Sequence, residues 1–371
     1  MELAMAIKGF TIACGLCLSV LFVTACGGSS SSSNPPVQEQ PPAPAPPPVS
    51  LSFQGLDGLI INKLYQHSGV LVAASDAGVY WQTNENNWHA AGLTDFDIMA
   101  MALLTEQHWL ASSSQLAQDG YPLYLLFESF NAGSDWHEVN YQFGQAGENE
   151  AIYALLFDEV AHIIYATGVS VLASSTDMGQ SWKVSHGDFG GFGQPKSALT
   201  QSADRQTLWY GGQGAIENGM LYQYDLNSGQ AVLHSNLFPN PSSIKAIRYA
   251  PDDPQTVYVS SEGGIVRSND HGQSWQTILG DVDFRFYFDV VIDTVTPERI
   301  FTAGWAKNFT EPQPLIIEWT DNGGQSWQQY QYPGGSNFFG GVRSMILVAE
   351  GTQQVVYFGL YKGGIMRMPL P

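Results

Sequence analysis

The sequence predicts an all-β protein built from repeated four-stranded sheets. Three observations predict it: an octapeptide that returns at regular spacing, short apolar strands between its copies, and a composition low in charge. The repeat carries most weight. Ser175-Thr176-Asp177-Met178-Gly179-Gln180-Ser181-Trp182 returns as Ser268-Asn269-Asp270-His271-Gly272-Gln273-Ser274-Trp275. It appears again as Thr320-Asp321-Asn322-Gly323-Gly324-Gln325-Ser326-Trp327, with Asn322 in the Asp place. Ser129-Phe130-Asn131-Ala132-Gly133-Ser134-Asp135-Trp136 is a weaker copy, and Thr83 to Trp88 is a shortened one. Each copy reads as a hairpin. The Asp or Asn side chain accepts backbone N–H groups inside the turn, and Gly takes a left-handed conformation. The Trp then opens the next strand and buries its ring.

Spacing turns the repeat into an architecture. Trp88, Trp136, Trp182, Trp275 and Trp327 lie about 48 residues apart once the long Trp182–Trp275 gap counts as two periods. The hidden unit is Leu208-Trp209-Tyr210-Gly211 and Leu221-Tyr222-Gln223-Tyr224, with Asp225 to Gly229 as a different turn. Residues 51–371 therefore hold nearly seven units, which predicts a single β-propeller of seven four-stranded blades, with six as the alternative. Innermost strands are expected near Ile61, Ile98, Ile152, Ser197, Ile244, Phe286 and Val342. The chain stops at an apparent third strand, Ile365 to Met368, while Ser50 to Leu56 is left over before the first inner strand. The N-terminal segment is thus expected to complete the last blade, closing the ring and hiding its sheet edges. Charged residues at 13% with 39 glycines favour β structure over helix.

The octapeptide resembles the Asp-box, or bacterial neuraminidase repeat, of a propeller superfamily that includes sialidases and photosystem II assembly factors. The resemblance implies a structural role for Asp177, Trp182, Asp270, Trp275, Asn322, Trp327, Asn131 and Trp136, at the turn between third and fourth strands. Sialidases of that superfamily carry an early Arg-Ile-Pro motif and three substrate-binding arginines. No arginine precedes Arg205 here, and the nearest string is Arg299-Ile300-Phe301. Sialidase activity is therefore not expected. The assembly factors, exported propellers with an arginine-rich patch, are the functional analogy the resemblance offers.

The N-terminus reads as a targeting segment. Lys8 precedes the uncharged apolar run Phe10 to Val23, 14 residues long, against ~20 for a bilayer span. Val23-Thr24-Ala25-Cys26 resembles the lipobox of bacterial lipoproteins, which implies cleavage after residue 25 and acylation of Cys26. Gly27, where an Asp would signal inner-membrane retention, points to the outer membrane. Residues 26–50 then form the lipidated cysteine with a flexible Gly/Ser stretch and a Pro-rich spacer. Cys14, Cys17 and Cys26 are the only cysteines, so the expected mature domain, residues 51–371, has neither disulfide nor thiol chemistry.

A formal charge of −20 disfavours nucleic acid, and membrane contact is expected through the anchor alone. The sequence calls for no metal and no cofactor: the eight histidines are scattered and no catalytic string is present. Asp57, Asp97 and Asp283 fall near the expected channel mouth and leave an acid/base pair open. Against 34 acids the chain holds only 14 Lys and Arg, yet six of them cluster at blade starts: Lys63, Lys196, Lys245, Arg248, Arg285 and Arg343. Each connection between blades also contains a phenylalanine, among them Phe96, Phe192, Phe284 and Phe339. These residues predict either a cationic, aromatic-rimmed mouth or, for the phenylalanines, wedges packed between blades. The expectation is a non-enzymatic, monomeric scaffold binding a protein, peptide or anionic glycan there. A surface glycoside hydrolase or carbohydrate-binding protein is the alternative.

Overall fold

The computed structural model describes residues 49–370, apart from residues 83–86, 145, 190–193, 215–217, 236, 238–242, 252, 281–284 and 307. The described residues contain no helix; their strands form seven antiparallel sheets of four strands each. Six blades follow chain order, over residues 61–90, 98–139, 154–186, 198–234, 244–279 and 286–332. The seventh takes three strands from residues 342–369 and its fourth from the other end, Ser52–Gly55. That closing strand runs antiparallel to Ile365–Pro369, with Ser52 opposite Arg367 and Phe53 opposite Met366. Each inner strand packs on the next and the seventh packs on the first, so the sheets close into a propeller. Seven sheets remove the six-blade alternative. The inner strands begin where expected, except that the third and fourth begin at Ala154 and Ala198.

Among the described residues seven clusters of buried apolar side chains occur, one at every joint between blades. This follows from strand alternation: in a stack of sheets both faces of a blade are covered, so strands such as Val257–Ser261 and Ile300–Trp305 are buried throughout. Polar side chains fasten the inner ring across the joints. Leu64 N–H donates to Ser344 Oγ (3.0 Å), Met101 N–H to Tyr65 OH (2.8 Å) and Ser112 Oγ to Ile152 O (2.9 Å).

The octapeptides fold as the sequence predicts, with one addition. Asp270 Oδ1 accepts the Ser274 N–H at 2.8 Å, while Ser268 Oγ accepts the Gly272 N–H at 2.8 Å. The same pair of bonds recurs around Asp177, Asn322 and Asn131. The Ser274 hydroxyl and N–H hold the Asp270 carboxyl down to about 2. The addition is that the hairpin reaches into the preceding blade. Gly272 sits at φ +90°, and a Cβ there would meet Trp209 Cη2 of the preceding blade at 2.5 Å. Trp136 and Trp327 also donate across their joints, to Ala91 O (2.5 Å) and Ile278 O (2.7 Å). Trp182 and Trp275 instead donate inside their own turns, to Gly179 O (3.0 Å) and Gly272 O (3.1 Å).

Candidate functional site

A backbone irregularity decides which side chains reach the channel. Four inner strands slip register immediately after their first residue, at Ile61/Lys63, Ile98/Ala100, Ile244/Ala246 and Val342/Ser344. In blade 6 the slip falls between Tyr287 and Val290. Such a bulge leaves a residue out of the ladder and re-aims its side chain. The residues left out are Asn62, Met99, Lys245, Arg343 and the pair Phe288-Asp289. All of them line one cavity of about 340 Å³, which Tyr153 of blade 3 and Ser197 of blade 4 complete. Seven blades contribute, so the cavity lies on the ring axis, at the end where the inner strands start.

Its electrostatics run against those of the whole chain. Four cations, Lys63, Lys245, Arg248 and Arg343, face two carboxylates, Asp97 and Asp289. Asp289 is buried and fully engaged. Its Oδ2 accepts from Arg248 Nη2 (2.8 Å) and the Met345 N–H (3.2 Å), and its Oδ1 accepts from the Val290 N–H (2.9 Å). Asp97 accepts from Asn62 Nδ2 at 2.6 Å, and desolvation raises its pKa against that bond. Arg343 Nη2 donates to Asn62 Oδ1 at 3.2 Å, so the Asn62 amide bridges Arg343 and Asp97, whose charges also attract directly. Burial lowers the Lys63 ammonium to about 8, with Arg248 adding to the effect and Asp289 opposing it.

One wall is aromatic. The Arg343 guanidinium lies 5.2 Å from the Phe288 ring centre and 5.7 Å from that of Trp305. Lys245 Nζ approaches the same Phe288 ring at 4.9 Å. Phe309, 48% exposed, stands edge-on to Trp305 at 5.5 Å and extends the wall outward. Trp305 ends the second strand of blade 6, and Phe309 lies in the connection after it.

The structure sorts the candidates that the sequence singled out. Lys63, Lys245, Arg248 and Arg343 come together in the cavity; Lys196 and Arg285 do not. Buried Lys196 donates to the carbonyls of Val169 (3.0 Å), Gln194 (3.0 Å) and Gln213 (3.4 Å), tying blade 3 to blade 4. Arg285 pairs with Glu318 at 3.0 Å within its own blade, its stem lying over Gly304. Phe96 packs on Phe127 at 4.8 Å in the joint between blades 1 and 2, a wedge rather than a rim. Phe339 stays off the cavity, 6.0 Å from the Lys362 ammonium. Phe192, Phe284, Asp283 and Cys26 lie outside the described residues, and Asp57 does not line the cavity.

Sequence reasoning missed Asn62, Phe288, Asp289 and Trp305. A signal for most of them exists in the register of the blade starts. Ile61-Asn62-Lys63-Leu64, Ile98-Met99-Ala100-Met101, Ile244-Lys245-Ala246-Ile247 and Val342-Arg343-Ser344-Met345 align without gaps, and the second position faces the channel every time. Tyr287-Phe288-Asp289-Val290 fits the same frame.

No protein-family model and no curated protein matches the sequence. Solved structures do match. A chain from the crystal structure of the mitotic checkpoint complex aligns with a TM-score of 0.57 at 12% identity, covering 92% of this chain and 99% of that one. The likeness is one of fold alone. An ancestral GH74 enzyme gives 0.52 at 13% identity, covering 86% of this chain and 47% of its own. The GH74 xyloglucanase from Xanthomonas campestris gives 0.49 at 12% identity, covering 85% and 60%. This chain thus spans about half of one GH74 chain and three fifths of the other.

Proposed function

We propose that the protein is an exported recognition module, tethered to the outer membrane by acylated Cys26, that captures an anionic group of a protein or peptide partner in its channel mouth. The octapeptide hairpins are read as Asp-box repeats with a purely structural part in it. The supporting observation is the inversion of charge: a chain at −20 aims four cations at one axial cavity that holds two carboxylates. A cleft of one sign in a low-dielectric wall focuses its field on ligands of the other. Propellers serve both protein complexes and glycosidases, so the fold leaves the choice to the site. The raised pKa of Asp97 favours a glycoside hydrolase as the second reading. Against it, the other carboxylate, Asp289, is already engaged by three donors and is poorly placed to serve as nucleophile or base.

Two measurements test the proposal. Cys26→Ser is expected to abolish acyl labelling and to release the chain from the membrane fraction, since lipid chains are then the only anchor. Wild-type chain recovered soluble and unacylated removes the tether. For the mouth, the probe is a fluorescein-labelled hexaglutamate peptide followed by anisotropy. Lys245→Gln is expected to weaken its binding about ten- to a hundredfold, the cost of one charge-assisted contact. Lys183→Gln, at an exposed position of an outer strand, should leave binding unchanged. Equal loss in both variants, or in neither, places anion binding elsewhere.

A further inference from the structure

We propose that the channel mouth receives the free C-terminus of a peptide ending in an aromatic or large apolar residue. In this arrangement Arg343 and Lys245 hold the α-carboxylate, and the terminal side chain lies on Phe288, Trp305 and Phe309. The inference rests on the anion-binding reading above and narrows it.

Arg343 carries the argument. Its guanidinium lines the cavity, and its one side-chain hydrogen bond among the described residues runs from Nη2 to the neutral Asn62. A guanidinium in a cavity wall whose only hydrogen-bonded side-chain partner is a neutral amide keeps its charge only partly compensated there, and an incoming carboxylate compensates it. The planar fork of Arg suits a carboxylate. Lys245 and Arg343 both lie against the Phe288 ring, at 4.9 and 5.2 Å, so a carboxylate meeting them sits beside an apolar surface. Charge and ring are adjacent there, as they are in a terminal residue.

Size and polarity narrow the ligand further. A cavity of about 340 Å³ is at the small end of ligand pockets, roughly 300–1,000 Å³, and admits a chain end rather than a folded surface. An internal acidic residue would have to bring its chain in and out through the same axial opening; a terminus enters once. A neutral sugar would bring no anion to the Arg343 and Lys245 cations of the cavity wall. Capture of a terminal carboxylate together with its side chain is a known mode of peptide recognition.

Lys63 makes binding proton-linked. Below about pH 8 it is charged before the ligand arrives; above that the incoming carboxylate must draw a proton onto it. Affinity is therefore expected to fall as pH rises past 8, and Lys63→Met to flatten that fall.

The experiment uses the full chain and labelled pentapeptides: one ending in Phe as the free acid, the same peptide as its amide, and a free acid ending in Gly. The Phe acid is expected to bind at least about tenfold more tightly than its amide, and more tightly than the Gly acid. Phe309→Ala, at an exposed position, should erase the preference for Phe and keep the preference for the acid. Arg343→Gln should erase the preference for the acid. Equal affinity for acid and amide overturns the inference, as does no binding by either. If hexaglutamate still binds in a Lys245-dependent way in that case, the broader reading stands and only the terminus is wrong. An acidic oligosaccharide that binds more tightly than the Phe acid also overturns it.

Discussion

Deleting residues 27–48 is expected to leave the unfolding midpoint unchanged, whereas deleting residues 27–56 lowers it steeply and brings on aggregation. The first cut stops short of Val49 and Leu51, which pack on the buried cluster between blades 6 and 7. The second removes both of them. It also removes Leu56, which packs in the joint between blades 7 and 1, and the whole strand Ser52–Gly55. Part-buried leucines of this kind contribute on the order of 1–2 kcal/mol each, so with the ladder bonds the loss should reach about 3–6 kcal/mol. A further consequence is geometric. Without its partner, Ile365–Pro369 becomes an unpaired edge, and its N–H and C=O groups offer a template to other chains. Urea titration gives the midpoints and sedimentation the association state. Equal midpoints would show that the ring is held shut by the inner-strand contacts between blades 7 and 1 alone.

That closure was legible in the sequence because strands are counted locally. Each hairpin is specified by residues within eight positions of one another, as Ser268, Asp270, Gly272 and Ser274 show, and a missing last strand follows from a full set of earlier ones. The site was legible only in part, for a reason of register. Lys196 and Lys245 both stand at a blade start, but Lys196 holds the first place of the aligned frame and Lys245 the second. One residue of slip turns a side chain from channel to joint. The cation at the first place is consumed by three carbonyls and the cation at the second faces the cavity. Arg285 lies before the strand Phe286–Ile292 and turns to Glu318 instead. Composition located the cations, and only the bulges decide which of them face the cavity. Trp305 and Phe309 escaped because they come from the far end of a second strand and the connection after it, where no repeat marks the position.

Asp289→Ala is expected to be among the most damaging single changes in the ring and, where the chain still folds, to tighten anion binding. The side chain of Asp289 is 5% exposed and that of its partner Arg248 is 35% exposed. Removing one member of a buried pair typically costs about 3–5 kcal/mol; Arg248 can turn partly to water, which places this case near 3. The backbone N–H groups of Val290 and Met345 lose an acceptor as well, and the second of those bonds crosses from blade 6 to blade 7. The double variant Arg248→Met with Asp289→Ala is expected to cost less than the two single changes added together, because no uncompensated charge remains. Binding should move the other way. Asp289 is the carboxylate that Arg248 holds, so a ligand carboxylate must compete with it. Asp289→Asn keeps the shape and an acceptor oxygen while removing that competitor, and is expected to bind hexaglutamate several-fold more tightly than wild type at pH 7. Urea midpoints for the stability series and anisotropy for the Asn variant measure the two halves separately. Weaker binding by a folded Asn variant would mean that Asp289 positions Arg248 for the ligand rather than competing with it, and the cavity's cations would then act as a pre-set frame.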